Sequence, residues 1–242
     1  MPVKSMANRG KQSKPQPRYE QNEIQRFVNK EARARFNSEV KERKIHQEKG
    51  FLLKNEDHYG QPSEVANNID ARQWTKFASH PHNPIVPLVR EFYSKILTVN
   101  KSFSMVRGIN VSFSASSINR HFGLHDVLDE YGAFLETIFE LALNKMLQDL
   151  TVEDTTWSKE TREGILKCSR LALKPLAKVW YHFIRMHLLS TTHIETVNKE
   201  RLVLLHCILE GKRVNIGQLI QREISACAFK PKGCLFFSII NN

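Results

Sequence analysis

From Tyr131 onward the apolar residues of this chain return every three or four positions, and that spacing limits the fold more than any other feature. Tyr131, Phe134, Leu135, Ile138, Phe139, Ala142, Leu143, Met146 and Leu147 form one such series. A second follows Pro175, which a first helical turn tolerates, and runs through Leu176, Val179, Trp180, Phe183, Ile184 and Leu188 to about Leu189. Residues 197–209 and 216–227 continue the pattern on either side of Gly211-Lys212-Arg213. An apolar stripe at helical spacing has to be buried against another element, so the chain must fold as a packed set of helices. One segment follows a different period. Phe103, Met105 and Val106, then Arg107-Gly108, then Ile109, Val111 and Phe113 alternate as strands do, which predicts a hairpin turning near Gly108. The expected architecture is therefore mainly α, a multi-helix domain with one β-hairpin near residues 102–114.

The first half is less regular. Residues 1–21 carry Lys4, Arg9, Lys11, Lys14 and Arg18 among Pro, Gln, Asn and Ser, and read as a disordered, solvated basic tail. Residues 22–242 then form one domain. The mixed charges between Glu23 and Lys49, with Phe27, Ala34 and Val40 among them, predict a solvated helix stopped by Gly50, and Phe51-Leu52-Leu53 a short strand. A short helix holds Ile69, Trp74 and Phe77, the stretch His80-Pro81-His82-Asn83-Pro84 breaks it, and Pro87 opens the next. Ser114 is placed to cap a helix reaching Phe122, and residues 151–156 interrupt the helical pattern before a short element at Trp157.

The 242 residues suit one large domain, and 41% of them are hydrophobic, enough for a real core. No run approaches the roughly 18–20 uninterrupted apolar residues of a membrane span, and the polar, basic start does not resemble a secretory signal. The expectation is a soluble, intracellular protein of nucleus or cytoplasm, neither secreted nor bound to membrane. Cys168, Cys207, Cys227 and Cys234 make no CxxC pair, so neither a disulfide framework nor a zinc ribbon is indicated, and Cys207 and Cys227 read as buried reduced thiols. The net charge of +11 is uneven: +6 over residues 1–60, −1 over 61–150 and +6 over 151–242. A basic excess of this size is electrostatic footing for DNA or RNA.

Reactive groups do not converge in the sequence. Asp126, Asp129, Glu130, Glu136, Glu140, Asp149, Glu153 and Asp154 are the acids available for metal-dependent strand transfer, and none ends a strand of an alternating β/α pattern. Glu136 and Glu140 are spaced to share one helix face and read as solvated. His80 and His82 lie in the proline break; His121 and His125 are spaced for one side of a helix, but Gly123 lies between them and no acid or cysteine completes a ligand set. His182, His187 and His193 are scattered. No G-x-S-x-G elbow, no G-x-x-x-x-G-K-[ST] loop and no zinc knuckle is present, and Ser114, Ser116 and Ser117 read as capping residues. In Lys178-Val179-Trp180-Tyr181-His182-Phe183-Ile184-Arg185 an arginine beside aromatics could stack on bases. The spacing instead makes Trp180, Phe183 and Ile184 a core stripe with Lys178, His182 and Arg185 at its wet edge. The sequence thus predicts no catalytic, cofactor-binding or metal-binding residues and leaves any nucleic-acid-binding residues unassigned.

Several blocks in order carry a family resemblance. They are Glu31-Ala32-Arg33-Ala34-Arg35-Phe36 with Glu48-Lys49-Gly50-Phe51, then Trp74 with residues 86–93, then Val106-Arg107-Gly108-Ile109-Asn110-Val111-Ser112-Phe113-Ser114 and Ile118-Asn119-Arg120-His121-Phe122-Gly123-Leu124. Residues 173–183 and 188–193 follow, and last Val197-Asn198-Lys199-Glu200-Arg201 continuing through Gly211-Lys212 to Asn215-Ile216-Gly217. Over roughly residues 25–240 the chain resembles a plant transposon protein domain, found within or beside retroelement and transposon reading frames. The resemblance implies a largely helical fold and no assigned catalytic residue. It also implies that relatives continue past the segment like residues 234–240, so the chain reads as a copy truncated at its C-terminus. The functional expectation is a transposable-element-derived protein that is not an enzyme and acts by binding DNA or RNA, by self-assembly or with element-encoded proteins. A transposase- or recombinase-like enzyme and a non-functional relic are the alternatives.

Overall fold

The computed structural model describes residues 27, 29–51, 63–98, 100–159, 164–189, 191, 194–230 and 233–235. The expected basic tail, Leu52-Leu53, His193 and residues 236–242 lie outside them.

The first described helix is α1 (Lys30–Arg35), continued by a π-helical turn at Phe36–Val40. Next come α2 (Ser63–Ala71), α3 (Thr75–Ala78) and α4 (Val86–Ser94), with Pro87 in the first turn. Strands β1 (Phe103–Val106) and β2 (Ile109–Ser112) lead to α5 (Ala115–Phe122), α6 (Glu130–Thr137) and α7 (Glu140–Leu150). Strands β3 (Ser158–Lys159) and β4 (Leu166–Ser169) and a 3-10 turn at Arg170–Ala172 precede α8 (Pro175–Phe183), which tightens into a second π-helical turn at Ile184–Leu188. Strand β5 (Thr196–Asn198), α9 (Lys199–Leu209) and α10 (Ile216–Phe229) complete the described fold.

The hairpin forms where the alternation predicts it, with Val106 opposite Ile109. Its two turn residues, Arg107 at φ 51° and Gly108 at φ 81°, are both left-handed, the twist that two-residue hairpins require. Arg107 has no glycine's freedom there and is held by a buried acid. Glu91 on α4, 0% exposed, accepts from Arg107 N at 2.9 Å and pairs with the Arg107 guanidinium at 3.1 Å and Lys95 at 2.7 Å.

Helix α9 is the axis of the core. Leu202, Val203, Leu204, Leu205, Cys207 and Ile208 are all buried, so apolar residues face every direction, as in a helix enclosed by others. Helices α6, α7 and α8 and strand β5 pack around it. A second centre is aromatic: Phe51, Trp74, Phe77, Phe122, Trp180 and Phe183 meet at centroid separations of 4.9 to 6.4 Å, mostly edge to face.

Three local expectations change. The helix expected over residues 23–49 ends, within the described residues, at Val40. The segment beyond runs extended because its backbone finds tertiary partners: His46 N–H donates to Leu235 O at 2.8 Å, Lys49 N–H to Met186 O at 3.3 Å and Phe51 N–H to Ala78 O at 2.7 Å. The apolar series from Tyr131 to Leu147 is two helices, broken at Ile138 in an extended conformation (ψ 122°). The β-branched pair Thr137-Ile138 is the weakest helix-forming stretch of that series, and the break lets α6 and α7 both reach α9. Finally, a three-stranded antiparallel sheet, β3-β4-β5, accompanies the hairpin. Strands β3 and β5, of two and three residues, are too short to show an alternation.

Candidate nucleic-acid interface

The two most recognisable sequence blocks, residues 114–124 and 215–217, meet where α5 crosses α10. A Cβ on Gly217 would lie 2.1 Å from Ala115 O, so only glycine admits this approach. Asn119, 1% exposed, donates from Nδ2 to Asp126 Oδ1 at 2.6 Å and to Asn215 Oδ1 at 3.0 Å, and its Oδ1 accepts Gly217 N–H at 2.7 Å. Asn215 Nδ2 donates to Val127 O at 2.9 Å, its N–H donates to Asp129 Oδ1 at 3.1 Å, and its Oδ1 caps α10 by accepting Gln218 N–H at 3.1 Å. Both carboxamides are satisfied on both ends, so this is a structural clamp. A cleft of about 840 Å³ bordered by Asp126, Asp129, Glu136, Gln218 and Arg222 opens beside it.

Of the acids named from the sequence, Asp126, Asp129 and Glu136 border this cleft, and the others lie apart. Asp126 and Asp129 serve the clamp, and Glu130 pairs with Arg213 at 2.9 Å. Glu136 and Glu140, expected on one helix face, lie on α6 and α7 with the break between them. Asp149, Glu153 and Asp154 are exposed. Among the described residues no three His, Cys, Asp or Glu side chains are grouped to hold a metal ion. His121 closes α5, and Gly123, left-handed at φ 71°, ends the helix before His125, so the two imidazoles do not share a helix side. His80 and His82 flank the proline break, both exposed. His187 is buried, donating to Phe77 O at 2.8 Å, and burial pushes its pKa down to about 4.

Much of the basic excess is occupied by the fold. Arg72 donates to Cys207 O, Ile208 O and Lys212 O at 2.8 to 3.2 Å, covering the carbonyl end of α9. Arg43, 7% exposed, reaches Cys227 O at 2.9 Å and Gly233 O at 3.0 Å, and Arg35 reaches Ala228 O, so two arginines close α10. Lys174 donates to Asp149 O at 2.6 Å in the last turn of α7, Lys76 to His121 O in the last turn of α5, and Arg201 to Leu189 O at 2.8 Å after the second π turn. Cations at these ends satisfy the last carbonyls and complement the helix dipole.

Four further cations lie around α8. The aromatic-basic stretch divides as its spacing predicts: Trp180, Tyr181, Phe183 and Ile184 are buried, Lys178 and His182 are exposed, and Arg185 is half-buried. Lys178, His182 and Arg185 recur at i, i+4 and i+7 and so lie along one side. Tertiary structure adds two cations to this edge. Lys49 arrives on the extended segment hydrogen-bonded to Met186, and Arg170 on the 3-10 turn, its N–H donating to Glu195 O at 2.8 Å. Burial lowers the His182 pKa first, and the neighbouring charges of Arg185, Lys49 and Arg170 lower it further. The same two arginines, with Arg201, act on Tyr181, whose hydroxyl donates to Thr196 O at 2.8 Å. The Nε atoms of Arg170 and Arg185 are buried without a hydrogen-bond partner among the described residues. Glu195 is the exposed acid at the edge of this cationic face. Sequence reasoning found Lys178, His182 and Arg185 but missed Lys49 and Arg170, which approach from 129 residues before and eight before Lys178 and carry no local signal.

No curated protein and no solved structure matches the chain. A family model does: the one described as "Putative plant retrotransposon-related domain" aligns with residues 70–241, spanning the hairpin, the α5–α10 clamp and α8, with Arg170, Lys178 and Arg185 inside the match and Lys49 before it. The agreement of that match with the ordered sequence blocks and the mainly helical fold makes this chain a member of the plant retrotransposon-related domain family, a protein of transposable-element origin.

Proposed function

We propose that this protein binds nucleic acid through the cationic face around α8 and acts by binding rather than by catalysis. One observation carries the reading: Lys49, Arg170 and Arg185 collect around His182, one helical turn from Lys178, and the Nε atoms of the two arginines are buried with no hydrogen-bond partner among the described residues. Like charges held together raise the free energy of the folded protein unless a polyanion neutralises them, and a phosphodiester backbone supplies both charge and acceptors. Among the described residues no exposed aromatic side chain accompanies the cations, so the proposed contact is with phosphates and not with bases, and it discriminates little between sequences.

The test is titration of a fluorescent duplex and a single strand over a range of salt. Log affinity should fall linearly with log salt, and the variant Arg170→Gln/Arg185→Gln should flatten that slope by about 1–2. Absence of binding at about 50 mM salt, or an unchanged slope in the variant, rules the reading out.

Self-assembly is the second reading, favoured by Phe139 and Leu141 at the start of α7, which are 65% and 74% exposed. Light scattering of the purified chain decides it: a concentration-dependent mass abolished by Phe139→Ser/Leu141→Ser supports assembly through this corner.

A further inference from the structure

The four cysteines fall into two chemical environments. Cys168 and Cys207 are enclosed by apolar side chains, and burial pushes their thiols up to about 11 and about 12, which leaves them inert. The other two lie together. Cys227, in the last turns of α10 and 5% exposed, donates from Sγ to Cys234 O at 2.9 Å, which brings the backbone of Cys234 alongside the sulfur. Cys234 itself is half-buried and reachable from solvent. Between them lies a cation: Arg43 Nη2 is 3.3 Å from Cys227 Sγ. Arg43 also ties the two ends of this loop through Cys227 O at 2.9 Å and Gly233 O at 3.0 Å. The segment carrying Cys234 is pinned on its other side, where Leu235 N–H donates to Lys44 O and Leu235 O accepts from His46 N–H, both at 2.8 Å.

We propose that Cys227 and Cys234 form a peroxide-responsive disulfide, with Arg43 as the positioning residue that stabilises the Cys227 thiolate. The exposed partner reacts first: the Cys234 thiolate attacks one oxygen of hydrogen peroxide, the O–O bond breaks, hydroxide leaves and Cys234 becomes a sulfenic acid. The Cys227 thiolate then attacks that sulfur, the S–S bond forms and a second hydroxide leaves. Together with the protons released by the two thiols, the hydroxides make two waters; the two sulfurs are oxidised by two electrons and the peroxide is reduced. The product fastens the Leu235 segment covalently to α10, and through Lys44 and His46 it steadies the extended strand that carries Lys49.

The test uses the full chain and hydrogen peroxide. Titratable thiols in denaturant should fall from the four of the reduced chain to two, and peptide mapping without reductant should join Cys227 to Cys234 within one chain. Cys168→Ser/Cys207→Ser should retain the crosslink. Cys227→Ser should abolish it and leave a sulfenic acid at Cys234 that dimedone traps. Arg43→Gln should slow crosslinking about tenfold at neutral pH and move the rise of its pH–rate profile upward, and Arg43→Lys, which keeps the charge, should restore much of the rate. A merely structural arginine would change stability and leave the profile in place. Four thiols persisting under peroxide, a crosslink between chains only, or a sulfenic acid trapped at Cys168 or Cys207 in place of Cys234 overturns the proposal.

Discussion

The α5–α10 crossing and the face around α8 are both polar, and they treat polarity in opposite ways. At the crossing, neutral carboxamides are buried, and the oxygen and the nitrogen of both Asn119 and Asn215 are hydrogen-bonded. Around α8, cations are brought together and two guanidinium nitrogens have no partner among the described residues. A fully satisfied network in a low-dielectric interior fixes geometry. A concentration of like charge destabilises the fold that carries it, a cost that the proposed polyanion relieves. The most recognisable family motif therefore marks architecture, and the less conspicuous surface is where function is sought.

The largest expected effect breaks the crossing. Gly217→Val puts a side chain into Ala115 O and should unfold the domain or cost at least about 3 kcal/mol in urea denaturation. Asn119→Ala leaves Gly217 N–H without its acceptor and takes a donor from Asn215 Oδ1 in the interior, and should cost about 2–4 kcal/mol. If either variant unfolds at wild-type urea, the clamp is not what holds α5 to α10.

Next comes an acid sensitivity beneath the cationic face. His187 is buried and neutral, with its folded pKa lowered from 6.5 to about 4. As pH falls below 6.5 the unfolded chain takes up a proton that the folded chain refuses, so this contribution is fully present above pH 6.5 and is lost progressively toward pH 4. The loss should approach about 3 kcal/mol, read as the difference in pH dependence between wild type and His187→Gln. Equal pH dependence in the two would show that His187 protonates without unfolding.

Smaller effects sharpen the contrast. Arg170→Gln/Arg185→Gln should raise stability by roughly 0.5–1 kcal/mol while weakening nucleic-acid affinity, a pairing that separates a functional face from a structural one. Lys145→Gln, an exposed cation on α7, should alter stability by less than about 0.5 kcal/mol and leave affinity near wild type. An equal loss of affinity from Lys145→Gln would make the binding a matter of net charge alone.

Long periodic stretches were legible before any coordinates. The burial of Trp180, Phe183 and Ile184 and the left-handed turn at Gly108 follow from spacing and residue type. The π-helical turns, the strands β3 to β5 and the break at Ile138 were not, because each is stabilised by groups distant in sequence. The candidate site was half legible: Lys178, His182 and Arg185 lie within two helical turns, whereas Lys49 and Arg170 join them through hydrogen bonds to Met186 and Glu195.

By itself the sequence determined a mainly helical domain of retroelement type, its hairpin and its excess of positive charge, because period, turn chemistry and composition act over a few residues at a time. Only the tertiary structure decided which cations are consumed at helix ends and which stand together. That division depends on where carbonyl ends and charged side chains meet in space, and no local pattern encodes it.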